Sequence, residues 1–235
     1  MRAARKKVYV TKAALRTDTK AGMAPAFLAK LRAGARCYLD AYAPRLAFSS
    51  RALRVAVHLR RGDVDAKTRG GFVTDDTVLR ALAWIENVTR SVAPAALAVD
   101  RHVFTSTIAN EALFRKKYTR RFWTSADFDV YRHRGVRVHI DVEGRGGAAK
   151  HQLLTTDAGL LHWAHWATAD VFLAGRSSFS SVPKLRNQNC AINPPYAPTD
   201  ANRECVARAV RARAAELSVG PGPGGGRTAD GALSP

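Results

Sequence analysis

The stretch Val55-Ala56-Val57-His58-Leu59-Arg60-Arg61-Gly62-Asp63 changes character half-way along. It begins as a strand apolar on both faces, as the middle of a parallel sheet requires, and ends with His58, Arg60, Arg61 and Asp63 in close succession. Side chains alternate along a strand, so His58 and Arg60 share one face and Arg61 takes the other. A guanidinium at such a strand end offers two parallel N–H bonds to a phosphate and keeps its charge at every working pH. Gly62 permits a sharp turn that leaves Asp63 facing the same cavity. Because a buried strand feeds Arg61-Gly62-Asp63 directly, that tripeptide is not read as an adhesion motif.

Outward from this strand, short β-branched runs alternate with longer helical periods, the signature of parallel strands joined by crossover helices. The pattern predicts strands at Arg54–Leu59, His102–Ser106, Val136–Asp141, Val171–Ala174 and, more weakly, Cys190–Asn193. It predicts helices at Asp75–Ser91, Ile108–Tyr118, Thr156–Thr168, Ser178–Asn187 and Asp200–Leu217. The expected fold class is therefore α/β, a Rossmann-like parallel sheet sandwich over residues 53–217. Residues 1–52 read as a short helical N-terminal region, with Phe27, Leu28, Leu31, Ala35 and Leu39 at helical spacing and Pro44 as its stop. Residues 218–235, rich in Gly and Pro without apolar periodicity, read as a disordered tail.

In such a sheet, ligands collect where strand carboxyl ends meet helix amino ends. A second polar cluster is expected at that edge. Asp170 opens the strand Val171–Ala174, Gly175 releases the chain, and Arg176, Ser177 and Ser178 begin a helix. Ser is a favoured N-cap, which explains the serines without any ligand. Successive N–H groups and hydroxyls at a helix amino end also make an anion cradle, worth roughly 0.3–1 kcal/mol from the dipole alone, and Arg176 strengthens it.

Composition bounds the alternatives. The 235 residues carry 38 Lys+Arg against 19 Asp+Glu, a net charge of +19. That excess suits an anionic partner, but only ten of the 38 are Lys and the Arg residues are scattered among Ala and Gly, so codon bias explains it equally well. A nucleic acid is a disfavoured partner, because the basic run Lys116-Lys117 with Arg120-Arg121 beside Phe122 and Trp123 reads as a solvated helix end. Three cysteines are too few for a disulfide scaffold and no C-x-x-C pair suggests zinc. Cys190 and Cys205 either pair across the Pro-rich turn or stay as free thiols, the reading preferred here. His162 and His165 lack the carboxylates of a metal site, and Leu160, Leu161, Trp163 and Ala164 read as the packing stripe of their helix. No run of roughly 20 apolar residues marks a membrane span or signal segment.

Taken together, Val55–Asp63 followed by Ala169-Asp170-Val171-Phe172-Leu173-Ala174-Gly175-Arg176-Ser177-Ser178-Phe179-Ser180 resembles the nucleotide-sugar half of fucosyltransferase-like glycosyltransferases, the group containing α1,6-, nodulation-type and α1,2-fucosyltransferases. The likeness spans roughly residues 54–192 and rests on an H-x-R-R-x-D piece and the later serine cluster, in matching order and spacing. It implies a two-domain GT-B architecture, GDP-fucose as donor and metal-independent, inverting transfer with no cofactor. Carried over, Arg60 would bind the β-phosphate, His58 would lie beside the nucleoside, and Ser177 and Ser178 would complete the diphosphate site. Arg61, His165, Asp170 and Arg176 join the expected nucleotide-sugar set. The family's acidic base falls at Thr68, which leaves Asp63 or Asp65 as candidates, with Asp63 placed beside Arg60 as catalytic. The guanine-binding acid falls near His162, with Asp157 earlier.

The acceptor is expected to be a glycan or glycoprotein in the Golgi or secretory lumen, the cytoplasm being the alternative. GT-B enzymes use two Rossmann domains, so the short N-terminal region implies either a reduced acceptor domain or a fragment that has lost its membrane anchor. The alternatives in function are a basic nucleic-acid-binding module and a catalytically inactive nucleotide- or glycan-binding relative.

Overall fold

The computed structural model describes residues 36, 38–61, 64–67, 72–93, 97–108, 121–143 and 157–219. Five strands form one all-parallel sheet: β1 (Ala52–Leu59), β2 (Ala98–Ile108), β3 (Arg137–Glu143), β4 (Val171–Leu173) and β5 (Cys190–Ile192), in the order β3-β2-β1-β4-β5. Between and after them run α1 (Asp75–Val92), α2 (Asp129–Arg132), α3 (Asp157–Thr168), α4 (Ser178–Arg186) and α5 (Asp200–Ser218). This is a Rossmann-like α/β sandwich, and its order reverses direction between β1 and β4.

β1 sits at the centre, paired with β2 on one side and β4 on the other. It is buried along nearly its whole length, which is why it reads as a continuous apolar run. Leu53, Val55, Val57 and Leu59 pack into an aliphatic core with Val78, Leu82 and Ile85 of α1 and Val206 and Val210 of α5. Each such side chain contributes about 1.5–3 kcal/mol by leaving water. Ala56 points the other way, into a smaller aromatic core with Phe104, Trp166, Phe172 and Phe179 from β2, α3, β4 and α4.

Local chemistry sets the element ends. Thr74 caps α1, its hydroxyl accepting from the Thr77 N–H, and Asp75 and Asp76 complement the dipole in the first turn. Thr199 caps α5 in the same way through Asn202. Arg213 of α5, almost wholly buried, donates from Nε to the Ala52 carbonyl at 3.0 Å and so fastens that helix to the start of β1.

Several expectations need correction. Ile108 ends β2 rather than opening a helix, because the strand continues through Thr107 and Ile108 in register with Val142 and Glu143 of β3. The basic run ends as irregular chain over residues 121–124, and Trp123 is buried, its indole donating to the Val64 carbonyl at 2.9 Å. Cys190 and Cys205 are joined by a disulfide, since the end of the sheet and the first turns of α5 bring their Cα atoms to 5.5 Å. Helix persists to Ser218, one residue past the expected end. The proposed amphipathic helix survives at residues 38–42, followed by a 3-10 turn at Ala43–Arg45; its earlier part, the helix expected over Ala109–Tyr118 and the tail from Gly220 lie outside the described residues. No helix among the described residues is long and apolar enough to cross a membrane.

Candidate functional site

At the reversal point the carboxyl ends of β1 and β4 lie side by side, with Val57 opposite Leu173. Two residues further along each strand, the chain presents Leu59-Arg60 from one and Gly175-Arg176 from the other, so the two polar clusters share one edge. Gly175 shows how tightly they meet: a Cβ there would lie 2.8 Å from the His58 carbonyl oxygen and 2.9 Å from His58 Nδ1. Only glycine lets β4 leave the sheet over that imidazole.

Beside this junction a small cleft of about 10 Å³, room for about one water, lies between the ends of β1 and β2 and the helices α3 and α4. It is lined by His58, Phe104, Thr105, Ser106, Gly159, His162, Trp166 and Phe179. His58 is held from every side. Its Nδ1 is hydrogen-bonded to Ser180 Oγ, its ring stacks on Trp166 at 4.5 Å, and the edge of Phe179 stands 5.8 Å away. Burial, then the charge of Arg60, pushes its pKa down to about 3, so the imidazole is neutral at physiological pH. His162 is likewise brought down to about 3 by burial and by the facing His139, His165 and His58.

The basic side of the edge is built from Arg60, Arg176 and the start of α4. Arg60 is half-buried and its charge reaches His58. Arg176 is exposed and makes no hydrogen bond or ion pair among the described residues. Ser177 caps α4, its Oγ accepting from the Phe179 N–H at 3.1 Å, which is the capping role expected of a serine there. Ser178 is the first residue of α4. Asp63 and Thr68 lie outside the described residues.

Other expected site residues have different work. Arg61 is fully buried on the aliphatic face, stacked over Phe72 at 4.3 Å and Trp123 at 4.9 Å. It donates to the Val73 carbonyl and to Asp75 Oδ1, both at 2.7 Å, and to the Arg60 carbonyl at 3.1 Å. These bonds hold the turn that carries Arg60. Asp170 stands at the opposite, amino edge of the sheet, paired with Arg54 at 2.6 Å, because β4 begins where its neighbour β1 also begins. His165 lies one helical turn below the cleft, its Nε2 accepting from the Ala47 N–H at 2.9 Å. Asp65 is buried, its carboxylate accepting from the Lys67 and Arg121 amides at 3.0 Å, which ties the loop after β1 to the chain before α2.

Sequence reasoning missed Trp166, Ser180 and the Thr105-Ser106 end of β2, and placed His162 only near the expected guanine-binding register. Strand parity was the available signal for β2, since Phe104 pairs with His58. Among the described residues no cluster of His, Cys, Asp or Glu could hold a metal ion. Comparison with protein-family models, with curated proteins and with solved structures finds no match for the chain.

Proposed function

We propose that the chain is the nucleotide-sugar-binding half of a GT-B glycosyltransferase, transferring fucose from GDP-fucose to a hydroxyl of a glycan or glycoprotein. The observation that carries this reading is the meeting of Arg60 with Arg176 and the amino end of α4 at one sheet edge, next to a cleft with aromatic walls. The diphosphate lies across Arg60 and the start of α4, and the nucleoside lies over the cleft beside His58, which widens to admit it.

In the reaction the acceptor oxygen bonds to the anomeric carbon as the bond from that carbon to the β-phosphate oxygen breaks. The electron pair stays with the departing GDP, so negative charge grows where Arg60, Arg176 and the α4 amino end stand. Stabilisation that grows with the charge lowers the barrier rather than tightening ground-state binding. The acceptor proton passes to a carboxylate, and Asp63, three residues beyond Arg60, is the group we assign. The Cys190–Cys205 disulfide suits a secretory-lumen location.

The test is a thermal-shift panel of GDP, UDP, ADP and a DNA duplex, followed by turnover of GDP-fucose. GDP at about 100 times its dissociation constant stabilises by about 2.7 kcal/mol, and the shift disappears in Arg60→Ala. Loss of one charge-stabilising donor of this kind costs a factor of about 10²–10³ in kcat. A shift with DNA and with no nucleotide overturns the proposal. GDP binding without fucose release in any form leaves an inactive nucleotide-binding relative in its place.

A further inference from the structure

We infer that Ser180 is a positioning residue that fixes the tautomer of His58, so that the cleft presents an Nε2–H donor to an acceptor atom of whatever ring is seated there. The inference about the ligand rests on the nucleotide reading above; the inference about the tautomer stands on the protein alone. Ser180 lies three residues beyond the cap Ser177, in the first turn of α4, and its amide donates to the Ser177 carbonyl at 3.1 Å. That turn faces the sheet and buries Ser180 to 2% exposure. Among the described residues its hydroxyl has one polar partner, His58 Nδ1.

A hydroxyl has one proton to give and two lone pairs, so the proton is the part that must find a partner. Burying it without an acceptor costs about 1–3 kcal/mol. Nδ1 is the acceptor within reach, and it accepts only when it carries no hydrogen. The ring is neutral, so its hydrogen sits on Nε2. The aromatic stack on Trp166 and the close approach of Gly175 then prevent the ring from turning over. Nε2 has no protein partner among the described residues, and His58 lines the cleft. The donor is therefore left for the ligand. One turn of α4 thus performs two tasks: Ser177 orders the amino end that meets the diphosphate, and Ser180 aims the imidazole that meets the base or ribose.

The tautomer is read directly from two-bond ¹⁵N–¹H spectra of the histidine side chains in the full chain, with His58→Gln assigning the signals. The expected result is a pure Nε2–H form of His58 between pH 5 and pH 8, mixed tautomers in Ser180→Ala, and recovery in Ser180→Thr. GDP affinity is expected to fall about ten-fold in Ser180→Ala, the equivalent of about 1.4 kcal/mol for one hydrogen bond aimed wrongly, and to return in Ser180→Thr. An Nδ1–H form in the unaltered chain overturns the inference without recourse to any variant, as does an unchanged spectrum in folded Ser180→Ala. A tautomer that shifts as expected in a protein that never binds GDP upholds the role of Ser180 and discards the nucleotide reading instead.

Discussion

The two faces of the sheet meet at the end of β1 and use the same chemistry for opposite ends. On the α1/α5 face, Arg61 is enclosed by Phe72 and Trp123 and bonded to Asp75, Val73 and the Arg60 carbonyl. On the α3/α4 side, Arg60 follows His58 by two residues and so shares its face, and His58 lines a cleft together with His162 and Trp166. Neighbouring arginines are thus sent to opposite faces by strand parity alone, one as a structural staple and the other as the phosphate group we propose. The comparison breaks if their variants behave alike. Arg61→Ala leaves Asp75 and Tyr131 around an uncompensated space, and breaking such a pair costs about 3 kcal/mol, the low end of the buried range because Asp75 is partly exposed. Urea unfolding reads that loss directly. Arg60→Ala is expected to keep the unfolding midpoint and lose the GDP shift.

Gly175 sharpens the comparison, since it is the contact between the β4 turn and the functional face of β1. In Gly175→Ala the new methyl meets the His58 carbonyl and ring inside 3.0 Å, so the strand end or the imidazole must move. Overpacking of this kind costs about 1–3 kcal/mol. The expected outcome is a fall of several degrees in Tm together with weaker GDP binding, measured on the same sample in one thermal-shift series. Weakened binding at an unchanged Tm would mean that the turn yields and His58 alone carries the strain.

The legible parts of the molecule were those with a clean period. β1 declared itself by Val55-Ala56-Val57, apolar on both faces, α1 by the helical period expected over Asp75–Ser91, and the opposition of Arg60 and Arg61 by simple alternation. Asp170 was misplaced because β4 is only three residues long, so its two ends are neighbours in sequence yet face opposite edges of the sheet. Trp166 was hidden because α3 is aromatic or histidine-rich around much of its circumference, so Leu160, Leu161, Trp163 and Ala164 read as its packing stripe although Ala164, His165 and Trp166 are the buried side chains. Ser180 was hidden for another reason: among the four serines Ser177, Ser178, Ser180 and Ser181, nothing local distinguishes the one that meets an imidazole from those with other roles. The disulfide needed the position of α5 against β5, which a spacing of 15 residues leaves undetermined.

The smallest expected effect concerns acid, and it too separates the faces, because the histidines of the α3/α4 side form a continuous cluster. His102 Nδ1 meets His139 Nε2 at 2.8 Å, and His102 Nε2 lies 2.9 Å from Asp100 Oδ1. His165 Nδ1 donates to the Leu161 carbonyl at 2.8 Å, so its Nε2 accepts from Ala47 and cannot also hold a proton. Burial first, and the neighbouring charges after it, bring His139 to about 4, while His165 reaches about 4 against the help of its Leu161 bond. These depressed values mean that the unfolded chain binds more protons than the fold between pH 6.5 and 4. Stability is therefore full above about 6.5 and declines as pH falls through that window, by up to about 1.4 kcal/mol per pH unit for each such histidine. Asp100 acts lower: burial alone would raise it, but His102, the Ser49 amide and Arg137 hold it below the usual carboxylate range, so its contribution is lost only at more acid pH. The segment through Ala47, Phe48 and Ser49 is clamped by these same groups, with Ser49 N–H on Asp100 at 2.6 Å and Phe48 against His102 and His165. Hydrogen exchange at Ala47 should consequently accelerate below pH 6 before exchange in α1 does, and the slope should flatten in His165→Gln. Equal acceleration of both regions at every pH would sink the distinction between a titrating face and an inert one.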